Sequence, residues 1–176
     1  MDGSKYSPAQ LRSCSDEELL RRCRWDVFRG SGPGGQKRNK TSSGVRVTHE
    51  PTGIIGIASE RRSQKQNREA AVYRLRHRMT LELRDAIDLA KFTTPDWFVR
   101  LVKTRLNVGA RSDEYWPVMG LVLDALEASA WSVSEAARLL GASTGTLVRF
   151  LQQDDKLMAH VNEQRQARKL KPLGTD

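Results

Sequence analysis

Apolar and polar positions alternate in the first part of the chain in a way that is typical of β-strands. Residues 24–29 alternate, with Trp25 and Val27 on one side of the backbone, and they predict a strand. Apolar residues at 45 and 47, and again at 54, 55 and 57, flank the segment 49–53. Because that segment ends in Pro-Thr-Gly, which suits a tight turn, we predict a β-hairpin there.

Two helices are predicted around these strands. Ser15, followed by three carboxylates, is a capping sequence and predicts a short helix through about residue 22. Ser63 and Gln66 resemble a capping box, after which apolar residues recur every four positions from Ala71 to Leu83. This period predicts a long amphipathic helix.

From residue 80 onwards these patterns give way to helical periodicity. Thr94-Pro95 and Trp116-Pro117 interrupt it, which predicts helices near 81–91, 95–107 and 117–129. The segment that follows has the spacing of a helix-turn-helix, with a small residue, a turn glycine and two apolar residues at Ala137, Gly141, Leu147 and Phe150. Further apolar residues expected in this core are Leu139, Leu140, Leu151, Trp116 and Trp131.

These elements predict an α+β fold in four parts. An N-terminal segment with a short helix covers residues 1–23, and a small domain of antiparallel strands with a long packing helix covers 24–80. An all-α module that contains the helix-turn-helix-like segment covers 81–160, and a basic C-terminal tail covers 161–176.

The charge of the chain is concentrated in one segment. Residues 29–78 hold twelve Lys or Arg against three Glu, which accounts for the whole net charge of +9. Basic segments of this density attract polyphosphates, because neutralising phosphates releases condensed counterions. The pattern therefore favours a nucleic-acid partner over a merely solvated surface.

Other features bear on the compartment and on metals. The chain has no run of about 18 apolar residues that could span a membrane, and its first twenty residues lack the apolar core of a leader. Cys14 and Cys23 match no zinc spacing with the three histidines, so we expect reduced, structural thiols and a cytoplasmic protein.

The usual sets of catalytic residues are absent from the pattern. His49, His77 and His160 lie near no nucleophile motif, and we expect His49 and His77 to be exposed or hydrogen-bonded structural residues. What remains is the loop Ser31-Gly32-Pro33-Gly34-Gly35-Gln36, which holds no strong acid, base or nucleophile. Chemistry on such a loop has to use backbone amides and one side-chain amide.

Four blocks of residues give the chain a family resemblance. They are Gly32-Pro33-Gly34-Gly35-Gln36, Asn39-Lys40-Thr41, His49-x-Pro51-Thr52-Gly53-Ile54 and Arg62-Ser63-Gln64-x-x-Asn67. In this order and spacing, residues 24–78 resemble the catalytic domain of class I peptide-chain release factors.

The resemblance implies a ribosome-dependent reaction in which water hydrolyses the ester of the P-site peptidyl-tRNA in the peptidyl-transferase centre. It assigns catalysis to Gly34, Gly35 and Gln36, with the Gln36 N–H stabilising negative charge that develops in the reaction. It also makes Gln36 a candidate for N5-methylation by a glutamine methyltransferase. The implied partners are large-subunit rRNA and the tRNA, with no cofactor or metal, and neither a membrane nor DNA is expected.

Basic residues around the loop, on the long helix and in the tail are expected to contact RNA. They are Arg29, Lys37, Arg38, Lys40, Arg61, Arg62, Lys65, Arg68, Arg165, Arg168, Lys169 and Lys171.

The biological role is expected to differ from stop-codon termination. Stop-codon release factors carry a codon-reading domain ahead of the catalytic one, and only about 23 residues precede the first predicted strand. We therefore expect codon-independent rescue of stalled ribosomes. Two alternatives stay open, a non-hydrolytic ribosome-binding factor and a DNA-binding regulator. Against the latter, segment 143–151 offers only Arg149 to read bases.

Overall fold

The computed structural model describes residues 6–29 and 42–174. The chain divides into two compact units, Met1–Leu83 and Arg84–Asp176, which we call the N-terminal unit and the C-terminal unit. Among the residues described, no helix combines the length and the apolar character needed to cross a membrane.

In the described part of the N-terminal unit, three strands are combined with three helices. Its elements are α1 (Pro8–Ser13), α2 (Asp16–Leu20), β1 (Cys23–Phe28), β2 (Gly44–His49), β3 (Ile55–Ala58) and α3 (Gln64–Glu82). The strands form an antiparallel sheet in the order β1-β2-β3. Ser63 begins α3, because its side chain accepts the N–H of Gln66.

Helix α3 covers one face of this sheet. Val45, Val47 and Ala58 pack against Ala71 and Leu75 of the helix, and these residues are all buried. Helix and sheet approach closely at Gly56, where a Cβ atom would lie 2.1 Å from the carbonyl oxygen of Ala71. Only glycine fits such a contact with a neighbouring backbone.

Arginines of α3 cover the outer edge of the sheet. Nη1 of Arg78 donates to the carbonyl of Ile55 at 3.0 Å, and Nη1 of Arg74 donates to that of Ile57 at 2.6 Å. Strand β3 is an edge strand, so these carbonyls would otherwise be open to pairing with another chain. The arginines thus protect the edge.

The two N-terminal helices are joined to the far half of α3 by a buried arginine. Arg76 is 6% exposed, pairs through Nε with Asp16, and donates from Nη2 to the carbonyl of Cys14 at 2.7 Å. Nη2 of Arg12 donates to the carbonyl of Leu83 at 2.6 Å. Residues 7–20 are therefore an integral part of the N-terminal unit.

The C-terminal unit is helical. Its elements are α4 (Asp96–Lys103), α5 (Tyr115–Ala128), α6 (Val133–Leu139), α7 (Thr144–Leu151) and α8 (Asp155–Ala167). Its core holds the expected Leu140, Leu147, Phe150 and Trp131, whereas Leu139 is half-buried. A sheet packed by one long helix, followed by an all-α module, confirms the predicted α+β class.

The structure differs from the helices predicted near 81–91, 95–107 and 117–129. Residues 83–88 form no helix, because the N–H of Asp85 and the side chain of Arg84 bond to Asp124 of α5. The predicted helix 95–107 ends at Lys103, since Arg105 and Leu106 have positive φ angles of 57° and 53°.

Helix α5 begins before the Pro117 that was expected to start it. It begins at Tyr115, so Pro117 occupies the first turn. The N–H groups of a first turn have no partner within the helix, so proline is tolerated there.

Candidate functional site

The first strand pair brings together the two ends of the glycine-glutamine loop. Phe28, the last residue of β1, is the cross-strand partner of Gly44, the first residue of β2. Residues 29–43 therefore connect two neighbouring antiparallel strands. Gly34, Gly35, Gln36, Lys37, Arg38 and Lys40 lie outside the described residues.

An aromatic ring packs at the base of this connection. A Cβ atom on Gly44 would lie 2.8 Å from two atoms of the Phe28 ring, so the ring occupies the space of the missing side chain. The guanidinium carbon of Arg46, the second residue after Gly44, lies 5.8 Å from the centre of the same ring. This packing defines where the connection leaves the sheet.

One buried side chain joins the end of the connection to the start of α3. Asn67 is 0% exposed, and its Nδ2 donates to the carbonyl of Ser43 at 2.6 Å. The same amide also makes two hydrogen bonds to the backbone of Arg61. Nδ2 of Asn67 donates to the Arg61 carbonyl and Oδ1 accepts the Arg61 N–H, both at 2.9 Å. Sequence reasoning had found Asn67 only as a member of a motif, because no local pattern reveals a bond across 24 residues.

Five of the cations expected to bind RNA lie at the end of β1 or at the start of α3. Arg29 directly follows β1, Arg61 and Arg62 precede α3, and Lys65 and Arg68 lie in its first turns. All five are exposed, and within the part of the chain that the structure describes none forms an ion pair. The guanidinium of Arg68 lies 4.2 Å from the ring centre of Trp25. We call these five residues the basal cations.

The other arginines of α3 differ from the basal cations. Arg74 pairs with Glu60, Arg78 pairs with Glu82, and both also hold the edge of β3. Arg76 is buried against Asp16. Within the described residues, the cations at the N-terminal end of the helix thus form no ion pair, whereas the arginines towards its C-terminal end do.

The histidine of the turn motif is a structural residue. His49 is 1% exposed, and its Nδ1 lies 2.9 Å from Oγ1 of Thr52 within the β2–β3 turn. Burial, assisted by the charge of Arg22, lowers the pKa of His49 below its ordinary value of 6.5. The expectation of a hydrogen-bonded structural histidine is met at Nδ1 only, because the buried Nε2 has no hydrogen-bond partner among the described residues.

Both cysteines are free thiols, and each is half-buried. Burial and the charge of Glu50 raise the pKa of Cys23 to about 11. Burial likewise raises the pKa of Cys14, although Arg76 opposes that effect. Thiols that stay protonated at neutral pH are poor nucleophiles, so neither is suited to catalysis.

The predicted basic tail is largely ordered on the C-terminal unit. Residues 161–167 belong to α8 rather than to a tail, and Asn162 exchanges hydrogen bonds of 2.7 and 3.2 Å with the backbone of Leu173. Gln152 donates to the carbonyl of Gly174 at 3.1 Å. Side-chain amides therefore hold part of the segment that was predicted to be a basic tail.

The four cations of this region have different environments. Arg165 donates through Nη1 to the carbonyl of Trp131, and through Nε and Nη2 to that of Lys171 at 2.9 and 2.8 Å. Arg168 is exposed, and its guanidinium lies 5.4 Å from the ring centre of Trp131. Lys169 and Lys171 are also exposed. The four cations are thus close in sequence, but the guanidinium of Arg165 is hydrogen-bonded to backbone carbonyls of the protein.

Helices α6 and α7 are joined by a short turn, in which Gly141 has a φ of 66°. The side chain of Ser143 accepts the N–H of Thr146 and thereby begins α7. Arg149 is the one cation of α7, and it is exposed.

Two family models match the chain. The model described as "RF-1 domain" matches residues 19–93, and the model described as "Bacterial regulatory protein, Fis family" matches residues 120–153. The first contains the sheet, α3 and the glycine-glutamine connection, and the second contains the α6–α7 turn.

Curated relatives match the same first region. A protein named Peptide chain release factor 1 from Leifsonia xyli subsp. xyli is 52% identical over 63 residues, covering 36% of this chain and 18% of the relative. Proteins of the same name from Kocuria rhizophila and Kineococcus radiotolerans are 52% and 51% identical over 63 and 65 residues. These matches cover 36% and 37% of this chain and 17% and 18% of the relatives.

The chain thus spans less than a fifth of the length of these relatives. Within that limit the family of the first region is established by the motif blocks, the antiparallel sheet with its long helix, and the matched residues. The segment 19–93 belongs to the class I peptide-chain release factor catalytic-domain family.

Proposed function

We propose that this protein hydrolyses the ester bond of peptidyl-tRNA on the ribosome. The observation that carries the proposal is the position of the Gly34-Gly35-Gln36 segment within a release-factor-type domain. The segment lies in the connection between β1 and β2, and the basal cations lie at the end of β1 and at the start of α3. An uncharged segment flanked by cations is suited to enter a reaction centre lined by RNA.

The proposed chemistry uses the backbone more than side chains. The N–H of Gln36 would donate to the oxygen on which negative charge develops, and the side-chain amide of Gln36 would place the attacking water. Gly34 and Gly35 would allow the backbone conformation that presents this N–H. Positioning in a site formed by rRNA then supplies most of the rate enhancement, so no acid–base pair of the protein is required.

The basal cations are proposed to bind rRNA phosphates, together with Lys37, Arg38 and Lys40. Arg29, Arg61, Arg62, Lys65 and Arg68 have no carboxylate partner in the described part of the chain, so binding phosphate breaks no internal ion pair. By contrast, Arg74, Arg76 and Arg78 would lose existing bonds. Phosphate binding is therefore more favourable in free energy for the basal cations than for Arg74, Arg76 and Arg78.

The proposed role is the codon-independent rescue of stalled ribosomes. The relatives are similar to this chain over 63 to 65 residues, and here that region is followed by a helical unit with a Fis-type segment. We propose that the C-terminal unit selects the stalled state, with Arg168, Lys169 and Lys171 contacting rRNA or the mRNA channel. Arg165 would act indirectly, by holding the carbonyl of Lys171.

Gln36 is further proposed as the acceptor of an N5-methyl group from a glutamine methyltransferase, and the cytoplasm as the place of action. Both proposals rest on the resemblance. Mass spectrometry of the native protein would find one added methyl on the peptide that contains Gln36, whereas a wholly unmodified peptide would refute the methylation.

DNA binding is the second candidate function, and the Fis-family match favours it. In that alternative α7 would lie in the major groove. Arg149 alone among the residues of α7 carries a charge, however, so direct base reading would rest on one guanidinium and on hydroxyl groups.

A peptide-release assay tests the proposed function and its alternatives together. Ribosomes carrying labelled formyl-methionyl-tRNA in the P site are prepared with an empty A site on a truncated mRNA, with a stop codon, or with a sense codon. We expect release that is fastest on the truncated mRNA and gains nothing from a stop codon. Ribosome binding without release would favour the non-hydrolytic factor. Tight binding to duplex DNA, with neither ribosome binding nor release, would favour the regulator.

A further inference from the structure

The side chain of Asn67 makes three hydrogen bonds to backbone groups outside its own helix. It is 0% exposed and reaches Ser43 on one side and Arg61 on the other. Ser43 immediately precedes β2 at the end of the catalytic connection, and Arg61 is one of the basal cations. The side-chain amide of Asn67 thus connects the segment that follows the proposed catalytic loop to the segment that carries the proposed rRNA contacts.

The start of α3 does not depend on this amide. Ser63 caps the helix by accepting the N–H of Gln66, and the backbone N–H of Asn67 is bonded to the carbonyl of Ser63. Packing of α3 on the sheet is supplied by Ala71 and Leu75, which are fully buried. The Asn67 side chain therefore serves segments outside the helix.

Chemistry restricts which residue could replace Asn67. The amide donates two hydrogen bonds and accepts one, a combination that asparagine provides at this length. Aspartate keeps the acceptor for the N–H of Arg61 but loses both donors, and leucine loses all three bonds. Ser43 is itself 8% exposed, so its carbonyl would lose its partner in a buried place.

We propose that Asn67 is a positioning residue for peptidyl-tRNA hydrolysis, one that fixes the exit of the catalytic loop relative to the cationic turn at residues 61–62. This inference rests on the proposed function. With the amide intact, binding of the turn to rRNA would also set the depth and direction of the loop. Without it, the ribosome would still bind the cations, while the reacting groups would be misplaced.

The test is single-turnover peptide release as a function of protein concentration, with Asn67→Asp, Asn67→Leu and the matched control Arg76→Met. Arg76 is likewise buried and joins separate segments, but it lies nearer the other end of α3 and bonds to Asp16 and Cys14. We expect both Asn67 variants to lower the rate at saturation by about 10- to 100-fold, as misplacement of catalytic groups does. The half-saturating concentration should change by less than about threefold. Arg76→Met should lose thermal stability and keep the saturated rate.

A pH profile separates positioning from a loss of folding. A carboxyl at position 67 would lie among carbonyl oxygens, which raises its pKa, and its protonated form regains one O–H donor for the carbonyl of Ser43. The rate of Asn67→Asp relative to the parent should therefore rise as the pH falls from 8 to 6. Asn67→Asp nearly preserves the shape of the side chain, so it keeps the test valid if Asn67→Leu does not fold.

The outcomes are distinct. The positioning role would be overturned if the parent releases peptide and the folded Asn67 variants have the same saturated release rate as Arg76→Met. In that outcome the rate of Asn67→Asp relative to the parent would also not rise at low pH. A parent protein that binds ribosomes and releases nothing would overturn the proposed function, and this inference with it.

Discussion

Phe28 and Gly44 face each other across the first strand pair, and the ring of Phe28 fills the space that a side chain on Gly44 would need. A Cβ atom there would lie 2.8 Å from the ring, whereas at Gly56 it would lie 2.1 Å from the backbone oxygen of Ala71. The two contacts differ in kind, because a ring at the end of a side chain can move and a helix backbone cannot. They lead to different expectations for the same substitution.

Gly56→Ala is expected to destabilise the protein by about 3 kcal/mol or more, and Gly44→Ala by about 1 kcal/mol, since overpacking that can relax costs less. Chemical denaturation measures both values. Gly109→Ala is the matched control, because nothing lies within 4 Å of the added atom. Equal losses of unfolding free energy in Gly44→Ala and Gly56→Ala would show that the close approach of α3 to β3 does not exclude a side chain at position 56.

The stability of the N-terminal unit is expected to fall in mild acid because of His49. Its folded-state pKa is lowered, so the unfolded chain takes up the proton first, and stability is lost as the pH falls below about 6.5. Amide hydrogen exchange in β2 and β3 between pH 8 and 5.5, corrected for intrinsic exchange, measures this loss. His49→Gln should weaken the dependence of stability on pH, although it removes the bond to Thr52. If stability falls as steeply with pH in this variant, another group causes the acid sensitivity.

The two thiols should react slowly in the folded protein. With its pKa raised to about 11, Cys23 is almost wholly protonated at pH 8, and half-burial hinders access further. Mass spectrometry after treatment with iodoacetamide should find both cysteines alkylated far more slowly than in urea. Rapid labelling of Cys23 in the native state would contradict the half-burial of its thiol.

Arg165 is expected to contribute to stability more than to RNA affinity. Its guanidinium holds the carbonyls of Trp131 and Lys171, so Arg165→Gln should cost about 1–2 kcal/mol. Lys171→Gln removes the same charge without removing these bonds, and it should leave stability nearly unchanged. Thermal unfolding and the salt dependence of ribosome binding distinguish the two variants. Loss of affinity without loss of stability in Arg165→Gln would make this residue a direct RNA ligand.

Local sequence signals predicted most of the N-terminal unit. Ser63 with Gln66 begins α3 as expected, and the Pro-Thr-Gly turn joins β2 to β3. The errors arose where distant residues decide the local structure. Asp124 bonds to residues 84 and 85 where a helix was predicted, and Asn162 holds the segment predicted to be a tail.

For the proposed site, the sequence indicates which residues could carry the chemistry but not which bonds hold the surrounding segments. The motif identified Gly34, Gly35 and Gln36, and the charge pattern indicated the basal cations. The bonds from Asn67 to Ser43 and Arg61 could not be read from spacing, because they depend on how α3 lies on the sheet. The same holds for the contact between Phe28 and Gly44, which requires the strand register.

The most direct measurement of the central claim is the single-turnover rate of peptide release by Gly35→Ala and Gln36→Ala on ribosomes with an empty A site. Gln36→Ala should lower the rate by about 10²–10³, the typical cost of displacing one oxyanion donor, and Gly35→Ala should lower it at least as much. Ribosome binding should persist in both. The matched controls Gln64→Ala and Gly109→Ala should release peptide like the parent. Unchanged release kinetics in either loop variant would contradict catalysis by the Gly34-Gly35-Gln36 segment.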